Sequence, residues 1–230
     1  MCPICYGTEF VDFNNRKNVR CLSCGSMERT RLAYLIASRS GYLRPSNSVL
    51  HIAPESGLFQ LFSKIFSDYT GADFNTEPYA KWRPKVKFVD LCDIENTINR
   101  KYDLIFHNHV LEHIPCSPSV ALSKLKSQLN PGGCMFFSIP VRTGSITTED
   151  SEFKLSTEKR TQLFGQWDHL RMFGDKDLFE FLDPNKDIGI ELIDYRDYLS
   201  EHCLHINNLS SDICNQLGNS IFKVRSNSYD

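Results

Sequence analysis

The sequence has no run approaching the about 20 apolar residues that a membrane-crossing helix requires, so no segment of it reads as a span. It lacks an excess of charge of either sign. With 26 Lys and Arg against 28 Asp and Glu, the net charge is −2, which gives the chain as a whole no attraction for a polyanion or a membrane surface. The first residues, Met1-Cys2-Pro3-Ile4-Cys5, have neither the basic nor the apolar region of a secretion signal, so the expectation is a cytoplasmic protein. A disulfide framework is also disfavoured. The nine Cys are an odd number and include two close pairs, which suits reduced thiols and a metal better. What is present is 230 residues of ordinary globular composition, 41% hydrophobic and 23% charged. That is enough for one sizeable α/β domain with a small appendage. Sixteen Phe point to an aromatic-rich core.

The charge is unevenly spread. Residues 1–44 hold seven Arg and Lys (Arg16, Lys17, Arg20, Arg29, Arg31, Arg39 and Arg44) against three acids, Glu9, Asp12 and Glu28. The rest of the chain is acidic. A basic end on an acidic body hints at an anionic partner, and an unevenly charged solvated surface gives the same count.

Cys2 and Cys5 form one C-x2-C pair and Cys21 and Cys24 another, at the spacing of a four-cysteine zinc site. Two cysteines separated by two residues sit on a tight turn whose thiolates converge, and two such knuckles supply a tetrahedral ion. Four Cys close the coordination sphere, so the expected zinc is structural. Glu9–Asn18 reads as a hairpin turning at Asn14-Asn15. Residues 1–25 hold too few apolar side chains to fold alone, and metal binding is expected to stabilise them. A helix of about residues 27–38, with Leu32, Leu35 and Ile36 at helical spacing, should link this module to the rest.

From residue 48 short apolar runs alternate with amphipathic segments. Strands are expected at Val49–Ala53, Asp68–Ala72, Val86–Val89, Tyr102–His107, Cys134–Ile139, Gly189–Tyr195 and Ile221–Arg225. Helices are expected at Leu58–Phe66, Ser119–Leu129 and Lys176–Leu182. The alternation implies an α/β fold whose mostly parallel sheet has helices on both faces, and ligands in such sheets bind beyond the carboxyl ends of the strands. The division read from the sequence is therefore 1–26 for the zinc module, 27–47 for the linking helix and 48–230 for the main domain.

Residues after the first strands fit a nucleoside. Asp73 follows the second strand, where a carboxylate can accept from both hydroxyls of a ribose. Asp90 and Asp93 follow the third and compete for an adenine amino group. Leu91 or Cys92 would lie against the ring, and either acid could instead cap the next segment.

Three further segments carry a family likeness. Tyr102-Asp103-Leu104-Ile105-Phe106, then Val110-Leu111-Glu112-His113-Ile114, then Leu129-Asn130-Pro131-Gly132-Gly133 closely resemble the class I S-adenosylmethionine-dependent methyltransferases. The likeness runs from about Val49 to Pro140. It implies a Rossmann-like, seven-stranded sheet with the last strand antiparallel, and S-adenosylmethionine lying across the first four strands. His51-Ile52-Ala53-Pro54-Glu55, with Asp168-His169-Leu170-Arg171, further resembles a group of bacterial methyltransferases with an N-terminal cysteine cluster.

The first loop departs from the superfamily's acidic, glycine-rich pattern. The corresponding run is His51, Ala53, Glu55 and Gly57. Ala53 is small enough for close approach of the backbone to the cofactor. Glu55 could accept from the cofactor's ammonium group, or could point to solvent. Asn108 ends the fourth strand beside the expected sulfonium. Methyl transfer needs alignment, and a base only if the acceptor loses a proton. His109 could be that base, or an orienting or packing residue. Glu112 and His113 match a motif shared across the superfamily and read as structural or cofactor-related. The loop from Arg142 to about Asp175 reads as a substrate lid, in which Asp168 could fix a histidine tautomer, His169 act as base and Arg171 bind an anionic substrate group. The alternative for this cluster is helix caps and salt bridges. The leading expectation is a methyltransferase for a small-molecule or glycan acceptor, at oxygen. A ribosomal or transfer RNA acceptor and a non-catalytic interaction module are the competing readings.

Overall fold

The computed structural model describes residues 1–14 and 16–226, so the Asn15 half of the expected Asn14-Asn15 turn lies outside the described residues. The N-terminal hairpin pairs Phe10–Phe13 (β1) with Arg16–Cys21 (β2), antiparallel. Ser26 and Met27 then lead into Glu28–Arg39 (α1). Leu32, Leu35 and Ile36 are buried on one face of that helix, as the i, i+3, i+4 spacing requires.

The apolar runs after residue 48 form the strands of one sheet. They are Ser48–Ile52 (β3), Asp68–Asp73 (β4), Lys87–Phe88 (β5), Tyr102–Asn108 (β6) and Leu129–Ser138 (β7). Between them lie Ser56–Ile65 (α2), Ile94–Thr97 (α3) and Pro118–Ser127 (α4). Beyond β7, Val141–Arg142 (β8), Thr148–Glu149 (β9) and Arg171–Gly174 (β10) form a separate three-stranded sheet with β10 in the middle, and Thr157–Phe164 (α5) lies between β9 and β10. Leu178–Leu182 (α6) precedes Glu191–Leu192 (β11) and Phe222–Arg225 (β12).

The central sheet has the order β11-β12-β7-β6-β3-β4-β5. All neighbours from β7 to β5 are parallel, and β12 is antiparallel to both β7 and β11. This is the expected α/β architecture of seven strands with an antiparallel last strand. One difference lies in the fifth strand, which starts at Leu129 instead of Cys134. Tyr102 faces Leu129 and Leu104 faces Cys134, so Asn130–Gly133 bulges out of register. A Cβ on Gly133 would meet the Asp103 and Tyr102 carbonyl oxygens at 3.1 Å, so the bulge needs glycine there. The sixth strand shrinks to two residues because it pairs only with β12 at the sheet edge.

Phe106, Phe136, Phe137 and Phe222 are among the fully buried side chains of the sheet, which makes the core aromatic. The N-terminal module joins this core: Cys2, Ile4 and Cys21 cluster with Leu32, Ile36, Val49 and Phe62. Arg31 fixes the junction. It is fully buried, donates to the carbonyl oxygens of Val19, Ser26 and Asn208, and lies 4.9 Å from the Phe10 ring. One of the seven basic residues at this end is thus an internal strut. Among the described residues no helix is long and apolar enough to cross a membrane.

The expectation of reduced thiols is corrected at two positions. Cys92 and Cys116 form a disulfide, while the other seven Cys are free. Cys92 follows β5 and Cys116 follows the segment after β6, so the bond joins two loops that the sequence separates by 24 residues.

Candidate active site

Parallel strands end together, so the loops after β3, β4, β5 and β6 meet at one edge of the sheet. They enclose a cavity of about 500 Å³ lined by Ala53, Asp73, Asp90, Leu91, His109, His113 and Asp168, among others. That size is ordinary for a small-molecule site. Ala53 and His109, the first residues beyond β3 and β6, both hold positive φ, 47° and 52°. Non-glycine residues seldom adopt this conformation, and such positions cluster at functional sites.

The expected cofactor residues divide into two sets. Ala53, Asp73, Asp90 and Leu91 line the cavity. Asp73 accepts from the Asn75 amide at 2.9 Å and from the Tyr79 hydroxyl at 2.7 Å, which fixes its carboxylate at the end of β4. Asp90 accepts from the Cys92 amide at 2.8 Å. Asp93 bonds Asn96 instead and does not line the cavity.

His51, Glu55, Gly57 and Asn108 lie outside the cavity lining and form a network behind it. His51 is fully buried, with Nδ1 2.9 Å from the Tyr69 hydroxyl and Nε2 3.2 Å from Glu55. Glu55 also accepts from Asn108 at 2.9 Å and from Thr30 of α1 at 3.3 Å. Burial opposes its charge, and His51 and Asn108 outweigh that effect, holding its carboxyl below the ordinary value. Gly57 faces the cysteine module: a Cβ there would lie 3.0 Å from Cys24 Sγ. Arg29, which sequence reasoning did not single out, is half-buried, its Nε has no partner among the described residues, and the charges of Glu55 and Glu112 reach it.

The other side of the cavity is built from the segment after β6 and the segment entering β10. The Leu170 amide donates to the Glu112 carbonyl at 2.8 Å, pinning the two together. Glu112 is fully buried, with His109 Nδ1 3.2 Å from its Oε1, His113 Nε2 at 3.9 Å and His169 Nε2 at 4.0 Å. Burial works against its charge, and His109 and His113 outweigh it, so the carboxyl stays below the ordinary range. Asp168 Oδ2 stands 3.4 Å from His113 Nδ1. His169 is buried beside the cavity rather than in its lining. Arg171 is also outside the lining. It is buried and spends its guanidinium on the carbonyl oxygens of Leu111, Ile114 and Cys116 and on Glu149. His107 is fully buried, stacked on Phe137 at 5.2 Å, and pushed down to about 3 by burial. Glu112 as the centre of a histidine cluster escaped the sequence reading, because only the fold brings His169 to it.

The four cysteines converge as their spacing predicts. Cys2 and Cys24 Sγ are 3.7 Å apart, Cys5 and Cys21 Sγ 3.6 Å apart, and all four lie within 4.8 Å of one another. Four sulfurs about 2.3 Å from one tetrahedral ion would be about 3.8 Å apart, so the cluster is compatible with zinc. The Cys2–Cys24 pairing draws the Cys2 thiol down to about 4 and pushes the Cys24 thiol up, so the shared proton rests on Cys24 and Cys2 is the thiolate of that pair.

Residues 26–188 match a family model described as a methyltransferase domain. No curated protein sequence matches the chain. The fold is similar to that of 1,6-didemethyltoxoflavin-N1-methyltransferase from Burkholderia thailandensis, solved with 1,6-didemethyltoxoflavin and S-adenosylhomocysteine. Identity there is 15%, with 86% of this chain and 78% of that one covered and a TM-score of 0.51. It is similar also to a SAM-dependent methyltransferase from Archaeoglobus fulgidus, at 16% identity, 88% and 95% coverage and a TM-score of 0.51. The cyclase SpnF shares the fold too, at 15% identity, 97% and 88% coverage and a TM-score of 0.52.

Proposed function

From the premise that this chain belongs to the methyltransferase-domain family and is an S-adenosylmethionine-dependent enzyme, we propose that it methylates an oxygen of a small-molecule or glycan acceptor. The observation that carries this reading is the cavity beyond β3, β4, β5 and β6, where Asp73, Asp90, Leu91 and His109 converge. In this reading Asp73 accepts from the ribose hydroxyls, Asp90 from the adenine amino group, and Leu91 packs on the ring. Ala53 lets the backbone approach the cofactor, and Glu55, Asn108 and His51 hold that loop from behind. The four-cysteine cluster holds a structural zinc that fixes α1 against the domain.

An oxygen acceptor needs a proton acceptor nearby. His109 lines the cavity, and its Nε2 is buried without a partner while Nδ1 faces Glu112. We assign it the acceptor's proton, so His109→Asn should lower the rate about 100- to 10,000-fold. Asp168 and His169 support the same side of the site.

A basic N-terminus kept an RNA acceptor open. The internal Arg31 and the Arg16–Glu28 pair, at 3.0 Å, leave less free positive charge there than the sequence count implies. Labelled methyl transfer from S-adenosylmethionine to low-mass metabolites and to RNA separates the two. Label in the low-mass fraction supports the reading. Label in RNA, with binding that weakens steeply as salt rises, contradicts it.

A further inference from the structure

Neither carboxylate oxygen of the buried Glu112 accepts a well-aligned hydrogen bond among the described residues; the nearest nitrogen, His109 Nδ1, stands 3.2 Å from Oε1. A buried carboxylate without a partner is costly, so its surroundings carry information. The nitrogens nearest it belong to histidines. The His113 and His169 rings stand edge to face, 4.8 Å apart at 84°. Their ligand atoms and a Glu112 oxygen all lie within 4.8 Å of one another.

The opposite edge of each ring fixes its tautomer. His169 Nδ1 is 3.0 Å from the Phe164 carbonyl oxygen. A carbonyl only accepts, so Nδ1 donates, and Nε2 of the neutral ring carries a lone pair. That Nε2 is buried and has no partner. His113 Nδ1 faces Asp168, which favours the proton there and a lone pair on Nε2. The His113 and His169 lone pairs thus face the carboxylate with no proton between them, and the proton-bearing nitrogen beside it is His109 Nδ1, 3.2 Å from Oε1. Arg29, whose charge reaches Glu112, makes no hydrogen bond to it.

We propose that Glu112, His113 and His169 bind a divalent first-row transition ion at the rim of the cavity, through the carboxylate and the two Nε2 atoms. Two imidazoles and one carboxylate are a recurrent donor set for such ions, leaving positions open for other ligands. Donors each about 2.1 Å from one ion lie about 3 to 4.2 Å apart. The His113 and His169 nitrogens, at 3.9 and 4.0 Å from Glu112, fall inside that range. Asp168 is a positioning residue that orients His113. This ion is distinct from the zinc of the cysteine module. His113 and Asp168 both border the cavity, so an open position would be reachable by an acceptor oxygen, whose acidity the ion would raise. That last consequence rests on the proposed function; binding of the ion does not.

The test titrates the full, zinc-loaded chain with Co2+ alone, read by calorimetry and visible absorption. One Co2+ per chain beyond the zinc is expected, with weak ligand-field bands and no sulfur-to-cobalt charge transfer. His113→Ala, His169→Ala and the positioning variant Asp168→Asn should each weaken binding roughly 10-fold or more. His113 is partly exposed and can be truncated without opening the core, and circular dichroism checks the fold of each variant. No Co2+ binding, charge transfer from thiolates alone, or affinity unchanged in both histidine variants overturns the site. S-adenosylhomocysteine binding on the same samples separates the two proposals. A chain that binds it but takes no Co2+ refutes the ion site alone, and one that takes Co2+ but not S-adenosylhomocysteine refutes the proposed function alone.

Discussion

Arg171 is a structural strut in the folded chain, and replacing it with Met should cost stability before it costs anything else. Its Nη1 donates at 2.6 Å to the Leu111 carbonyl and at 2.7 Å to the Ile114 carbonyl, both buried, and its Nη2 reaches the Cys116 carbonyl at 3.3 Å. These carbonyls belong to the segment that carries Glu112 and His113. Met approximates the length of the side chain and none of its donors. Each buried carbonyl left without a partner costs about 1–3 kcal/mol. Together with the lost pairing to the half-exposed Glu149, the expected loss is roughly 3–5 kcal/mol. For a chain of this size each kcal/mol moves the melting temperature about 2–4 °C, so the fall should be about 6–20 °C. Differential scanning calorimetry measures it, with S-adenosylhomocysteine affinity as a second readout because Ile114 and His113 line the cavity. A substrate-anion role predicts the opposite pattern, an unchanged melting temperature with a raised KM for the acceptor. A melting temperature within about 2 °C of wild type would refute the strut.

The Cys92–Cys116 bond ties the loop after β5 to the loop after β6 across a separation of 24 residues. In the chain-entropy account a crosslink of that span stabilises by about 3 kcal/mol. Reductant should lower the melting temperature by about 6–12 °C and leave a Cys92→Ser/Cys116→Ser variant unmoved; equal shifts in both would contradict it. For the cysteine module, Cys24→Ala should release zinc, read as metal content per chain. Undiminished zinc in that variant would show that the four sulfurs are not its ligands.

The central sheet was legible because its signal is local: β3, β6 and residues 134–138 of β7 are almost wholly buried runs, whereas the bulge at residues 130–133, polar and partly exposed, was not read as strand. The convergence of the four cysteines was legible from spacing alone. The β8–β10–β9 sheet was not, because strands of two to four residues leave no periodicity to read. The first loop misled in a physical way. A pattern of alternate positions says which residues share a strand face but not which side of the loop reaches the cavity. Ala53 faces the cavity, whereas His51, Glu55 and Gly57 knit the loop to β4, β6 and the cysteine module. The Asp168-His169-Leu170-Arg171 run was singled out as a unit, but its members diverge. Asp168 borders the cavity, His169 backs Glu112, and Arg171 holds backbone. Two cysteines far apart in sequence gave no pairing signal.

The shared fold with a cyclase means that architecture alone does not fix the chemistry. Calorimetry of S-adenosylhomocysteine with the wild-type chain and with Asp73→Ala tests the account most directly. The account predicts binding at a single site. Asp73→Ala should weaken it at least about 10-fold, since hydrogen bonds to a charged acceptor contribute about 1.5–3 kcal/mol each. No binding to the wild type, or equal affinity in the variant, would contradict it.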